Sequence, residues 1–414
     1  MAIQAACRSN QLAFDATGGA YRVSGRITVP SGVTVRGAGI AATSISCSDG
    51  ATSIFVTTQA TGVIVERIKF VVSAVSTAAH TGAVEFNTST KCSCRQCEMV
   101  GCNWAGVLIH DSTYCTVDRC YCHDFQGTVQ DSADVCIYNR SHHNLVTNNR
   151  CCGGNWHGIS IEDPYSNSLP SHNLVAGNTV GAHRAYGLMV YVPSPGDTFN
   201  ELTGNTVQDI QGSVLGRNSG AGIYVVGKGA GGTTVSGNTV RNCCVQTTRS
   251  ILAPAGIGIN GISAVAAPVS IRENTVEDMR AHDAILVISS SGRVTLAANS
   301  ATLPPGNPAS PIRVEGSSHV NVTGNSLGRD PATSGRCIAV HANAVAVANI
   351  TITGNTCRGG ASPQIELSST AGGSISDVVC TGNTCRGPGV TPNCIRLVGV
   401  HGAAVSENVC LATL

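Results

Sequence analysis

The chain has 414 residues, 12% of them charged and 4% aromatic, and a net charge of +1. That balance supplies no bulk attraction to nucleic acid or to an anionic membrane, and no apolar run approaches the roughly 20 residues of a membrane-spanning helix. With 48 glycines and so few rings, a core must be filled by Val, Ile, Leu, Ala and Cys.

In chain order, the start MAIQAACRSN lacks the basic and apolar regions of a signal peptide. Within it, AIQAAC (2–7) reads as a short amphipathic helix capping the first strands, with the cap extending to about residue 20. Residues 20–39, AYRVSGRITVPSGVTVRGAG, read as strands broken by Gly and Pro turns. From residue 107 onward, short alternating segments recur: VLIHD (107–111), CIYNR (136–140), ISIED (159–163), LMVYV (188–192), IYVVG (223–227) and so on to IRLVG (395–399). Their period of two marks strands with one buried face.

Between these segments runs a second repeat, GNT at five places and GNS at 324–326, and setting these in register gives one Asn in each unit. The series is Asn149, Asn178, Asn205, Asn238, Asn274, Asn299, Asn325, Asn355, Asn383 and Asn408, at intervals of 25–36 residues. Cys97 and Cys120 occupy the same slot in two earlier units. Short strands, no helical period and a repeat of this length predict a solenoid, a parallel β-helix of about 12–13 turns in a single domain. The Asn column is then an internal ladder, each amide bonding to the next. The expected subdivision is a cap (1–20), first turns (21–90), turns carrying a groove (91–230) and plainer turns (231–414).

Of the 20 cysteines, Cys92, Cys94, Cys97 and Cys102 have a zinc-like spacing, but the repeat register places cysteines at small inward positions as buried thiols. No metal and no cofactor are expected. Unpaired cysteines and the absence of a leader in this sequence point to folding in a reducing compartment. ENVCLATL stops just after a ladder Asn, so the last turn is expected to be a bare sheet edge that a partner or further chain covers.

The opening AIQAA, the Y-R-V-x-G strand pair and S-G-V-T-V-R-G-A-G together resemble the pectate-lyase-like right-handed β-helix superfamily, which includes phage tailspikes. The likeness is close over about forty residues and looser in the repeat. It implies a right-handed β-helix, a carbohydrate partner and, by the tailspike likeness, a trimer. An upstream F-G-A-x-G-D-G-type segment usual in the superfamily is missing.

On the alternating strands, outward positions form a column: His110, Tyr138, Glu162, Tyr191, Val226, Asn260, Ile288, Glu315 and His341. Its first four members are its richest in reactive groups. Every aromatic residue lies at or before Tyr224, and seven of the 12 His fall between 110 and 183. Inserts at 163–171, 192–199, 211–221 and 244–256 would wall a cleft beside them. The candidate catalytic residues are therefore His110, Tyr138, Arg140, Glu162, Asp163 and Tyr191. Trp104, Trp156, Tyr165, Tyr186 and Tyr224 would supply sugar platforms. Asp111, His157, Arg184 and Lys228 would supply polar contacts. The bland reading, a solvated solenoid face with aromatics covering corners, stands beside this one.

Three chemistries compete on a polysaccharide or oligosaccharide. In β-elimination, Tyr138 or His110 would act as base or acid and Arg140 would neutralise a uronate. Hydrolysis needs paired carboxylates. Asp111 and Asp163 lie two turns apart, about 9–10 Å by strand spacing, near the upper limit of the inverting range of about 6.5–9.5 Å; Glu162 is an alternative member of the pair. The ordered motifs of β-helical polygalacturonases are not present. The third chemistry is C5 epimerisation. CIYNRSHHNLVTNNRCCGGNWHGISI (136–161) resembles β-helical mannuronan epimerases through Arg140, Ser141 and His142, but Cys136, Ile137, Tyr138 and Asn139 stand where that family has D-P-H-D. A non-catalytic tail-fibre or glycan-binding shaft is the remaining alternative. The expectation is a carbohydrate-active enzyme, with a lyase ahead of a hydrolase.

Overall fold

The computed structural model describes residues 13–412 except 17, 127–131, 155, 165–167, 213–219, 245–254, 281, 332, 334, 361–362, 371 and 388–393. The expected capping helix at 2–7 lies outside them. Turn after turn, the described residues lay successive strands in three parallel sheets, of 15, 15 and 14 strands. One turn contributes Thr116–Asp118, Tyr121–His123 and Ala133–Tyr138. The next stacks Leu145–Thr147, Arg150–Cys152 and His157–Glu162 directly on them. Among the described residues there is no helix, and so none long and apolar enough to cross a membrane. Contacts group the chain into two compact units, Met1–Val192 with Asn200–Thr206, and Pro193–Phe199 with Val207–Leu414. Each is built of the same stacked parallel turns.

Alternation accounts for the core. Val117, Val146 and Val175 stack on the inner face of the first sheet, Cys122, Cys151 and Val180 on the second, and Ile109, Ile137, Ile161 and Val190 on the third; all are buried. Each such aliphatic side chain contributes about 1.5–3 kcal/mol by leaving water. Before Asn149, Ile68, Cys97 and Cys120 fill the same slot in earlier turns, each offering its carbonyl to the next turn's strand.

The GNT motif has a physical basis. Gly177, Gly204, Gly324, Gly354 and Gly382 have φ of 61–66°, left-handed backbone that glycine adopts without a Cβ penalty. That twist turns the following Asn inward. In the first unit, Asn178 Nδ2 donates to the Val146 carbonyl and to Asn205 Oδ1, both at 2.9 Å. Its own Oδ1 accepts from the backbone and side chain of Asn149, at 2.8 and 3.0 Å. In the second unit the same pattern runs from Asn238 through Asn274, Asn299, Asn325, Asn355 and Asn383 to Asn408.

Two features differ from expectation. A second Asn ladder, Asn144–Asn173–Asn200, stacks at the turn leading into the first sheet; Cys92 and Cys115 precede Asn144 in that column, which hid it. The cysteines are not all unpaired: Cys394 and Cys410 form a disulfide, with Cα atoms 5.9 Å apart. Seventeen other cysteines lie among the described residues, and of these only Cys152 is not fully buried.

Candidate functional site

The third sheet carries the reactive column, and its register places the expected residues side by side. Asn87 pairs with His110, His110 with Tyr138, Tyr138 with Glu162, and Glu162 with Tyr191. Neighbours in this row are about 4.8 Å apart along the stacking direction. Further along, Val226, Asn260, Ile288, Glu315 and His341 continue the column within the second unit.

Pointing outward does not mean facing water. Tyr138 is 2% exposed and Glu162 1%. What reaches the surface is imidazole. Tyr138 Oη lies 2.8 Å from His80 Nε2, and the half-buried His80 ring sits 6.5 Å from the ring of His110. Trp104 packs edge-on against both His80 and Tyr138 and forms a buried layer with Ala105, Leu108, Ala133 and Cys136. His110 Nε2 accepts from Asn139 Nδ2 at 3.1 Å, with Asp111 Oδ2 3.6 Å away. Burial, with His110 nearby, holds the His80 pKa below the ordinary imidazole value, against a smaller opposing pull from Glu85. His80 is therefore neutral at neutral pH, with one ring nitrogen tied to a phenol.

The carboxylates are engaged elsewhere. Asp163, fully buried, accepts from the Ser168 backbone and hydroxyl at 3.1 and 3.4 Å, so it closes the turn after its strand. Asp111 accepts the Arg140 N–H at 3.1 Å, while the Arg140 side chain is exposed. Glu85 is buried and takes hydrogen bonds from Ser53 and Asn87.

The expected sugar platforms are placed differently. Trp104 is buried beneath His80, and Trp156 is 8% exposed, so neither presents an open ring face. Tyr186 and Tyr191 are partly exposed and Arg184 is exposed. Tyr165 lies outside the described residues. Tyr224 and Lys228 belong to the second unit, where buried Tyr224 Oη accepts from Asn260 at 3.0 Å.

Beside the row is a group of buried titratable side chains. His157 packs against Trp156 and Tyr186. It is 1% exposed, with neither ring nitrogen hydrogen-bonded among the described residues, and burial with His183 alongside lowers its pKa to about 3. His183 Nε2 meets Asp134 Oδ2 at 3.1 Å in the core. The ring fits because position 154 is glycine, where a Cβ would fall 2.6 Å from His183 Cδ2. His80, Glu85 and Asp134 were not anticipated. The signal for Glu85 was GAVEF at 82–86, an alternating strand like those beginning at 107.

Comparison with known proteins bears on the fold. Residues 52–245 match the family described as a right handed beta helix region. The tailspike protein of E. coli bacteriophage HK620, solved in complex with a pentasaccharide, aligns with a TM-score of 0.64 at 14% identity, over 98% of this chain and 75% of that one. A mannuronan C-5 epimerase A-module of Azotobacter vinelandii aligns over 100% of this chain and 93% of its own at 16% identity, with a TM-score of 0.43. The catalytic domain of an α-1,3-glucanase in complex with nigerose aligns at 10% identity and a TM-score of 0.41, over 98% and 67%. No curated protein matches the chain in sequence. The stacked parallel turns make the fold a right-handed parallel β-helix, the description carried by the family that residues 52–245 match.

Proposed function

We propose that the chain acts on an acidic polysaccharide, cleaving it by β-elimination at the surface around His80 and His110. The observation that carries this reading is the 2.8 Å hydrogen bond between Tyr138 and His80, with a second imidazole 6.5 Å away. β-Elimination requires a group that takes the C5 proton and another that protonates the leaving oxygen as the C4–O bond breaks and the C4=C5 bond forms. A neutral imidazole tied to a phenol is suited to either role. When Tyr138 donates to Nε2, His80 carries its proton on Nδ1 and gives it to the leaving oxygen as the phenol proton passes to Nε2, leaving a phenolate; when Nε2–H donates to the phenol oxygen, Nδ1 carries no proton and takes the C5 proton as a base. His110 supplies the complementary group, and the exposed Arg140 guanidinium supplies a partner for the uronate carboxylate.

The carboxylate pair needed for hydrolysis receives less support, since Asp163 is fully buried and held by Ser168. A polysaccharide partner suits the fold, because the tailspike of bacteriophage HK620 holds a pentasaccharide on the same architecture.

The test is a panel of uronate-containing and neutral polysaccharides, assayed by the ultraviolet absorbance of unsaturated uronates and by reducing ends. Rising absorbance with chain cleavage, lost in His80→Ala and His110→Ala, is the expected result. Reducing ends without absorbance would mean hydrolysis. Silence in both channels with retained binding would mean a glycan-binding shaft.

A further inference from the structure

Three consecutive turns end their second-sheet strands in the same way, and the residues that close them all belong to the second unit. Thr206–Gln208, Thr239–Arg241 and Thr275–Glu277 each lead into an Asp or Asn in left-handed backbone: Asp209, Asn242 and Asp278, with φ of 57°, 48° and 56°. The short polar side chains therefore stack in a column at this corner, alongside Arg241 and Arg280. They line a groove of about 510 Å³, within the size range of small-ligand sites.

The groove is organised before any ligand arrives. Arg241 forks onto Gln208 Oε1 through Nε and Nη2, at 3.0 and 2.6 Å. Asn242 Nδ2 donates to Asp209 Oδ1 at 2.7 Å. Asn242 Oδ1 is shielded from solvent and accepts no hydrogen bond among the described residues. Asp278 and Arg280 make no ion pair among the described residues. A similar groove in the first unit, about 470 Å³ and lined by Glu66, Arg95, Asp118 and Arg119, differs here. Three of its four charged side chains are paired: Glu66 with Arg36, Arg119 with Asp118, and Asp118 also with Thr147 and Asn148.

The composition of the second-unit groove selects a ligand class. An anion would meet the carboxylates of Asp209 and Asp278, and a cation the guanidinium groups of Arg241 and Arg280. An apolar ligand would find only the Pro304 ring. A neutral polyhydroxyl ligand suits every wall, because each hydroxyl both donates to a carboxylate or amide oxygen and accepts from a guanidinium. We infer that this corner, formed by Asp209, Asn242, Asp278, Arg241 and Arg280, is a binding site for a neutral sugar unit of a glycan, with no part in bond cleavage.

The experiment is isothermal titration of the full chain with neutral gluco-, galacto- and manno-configured oligosaccharides, and separately with sulfate. The expected result is binding of at least one sugar and not of sulfate, weakened about ten-fold in Arg280→Ala and in Asp278→Asn, as befits loss of one charge-assisted hydrogen bond. Both residues are exposed, so the variants should fold. Tyr138→Phe should bind these sugars unchanged, which separates this site from the proposed cleavage site. Absence of sugar binding, binding indifferent to both substitutions, or preference for sulfate would each overturn the inference.

Discussion

Replacing Asn178 by Ala removes the side chain that links three turns of the first unit. The Asn149 backbone N–H and side-chain amide lose their shared acceptor, and the Val146 carbonyl loses its donor. Asn205 Oδ1 keeps one bond, from the residue 178 backbone. Four hydrogen bonds are thus lost in the core, although the Asn149 amide keeps its bond to the Val117 carbonyl, at about 1–2 kcal/mol each. Because they share one network, the sum is less than additive, giving a loss of about 3–6 kcal/mol. Asn178→Cys should cost less. The chain itself places Cys120 in this slot, where Sγ reaches the Cys94 carbonyl as the amide does in later turns. Urea denaturation monitored by circular dichroism gives the difference, with exposed Thr179→Ala as a neighbour expected within about 0.5 kcal/mol of the parent. A loss below about 1 kcal/mol for Asn178→Ala, or Cys no better than Ala, would refute the ladder as a source of stability.

The buried imidazoles and the packing carry further consequences. His157 binds its proton far less readily folded than unfolded, so the unfolded state takes up more protons and stability falls as pH drops from about 6.5 toward 3, by about 1.4 kcal/mol per unit. Denaturation midpoints across that range should show the slope, and His157→Phe should flatten it. His80 should titrate below free imidazole in NMR spectra, and His110→Asn should move its pKa upward by removing a charge that lowers it. Gly158→Ala would drive a Cβ into the Val180 side chain and the Gly187 carbonyl, and thermal unfolding should reveal a loss of about 2 kcal/mol or more.

The solenoid was legible because its two determinants are local. A period of two fixes which side chains face inward, and a left-handed residue before the ladder Asn, Gly in six of the ten turns, fixes the corner. The same regularity allowed the row His110, Tyr138, Glu162, Tyr191 to be placed in register from the sequence. What could not be read is what covers a strand. Glu162 and Tyr138 point away from the core, as alternation requires, yet are buried, because alternation says nothing about a second layer outside the sheet. Asp163 looked reactive beside Glu162, but its partner is the Ser168 turn five residues on. His80 precedes its strand, outside the alternating pattern, and reaches Tyr138 across 58 residues of sequence. The Cys394–Cys410 pair joins residues that the repeat assigns to separate positions.

The central claim, proton transfer through His80 and its phenol partner, rests most directly on one hydroxyl. Tyr138→Phe keeps the ring that packs against Trp104 and removes only the group bonded to His80. On a uronate polymer that the parent cleaves with rising absorbance, the account predicts a fall in kcat of about 100-fold or more, with KM and the circular dichroism spectrum little changed. Turnover within about two-fold of the parent would contradict it.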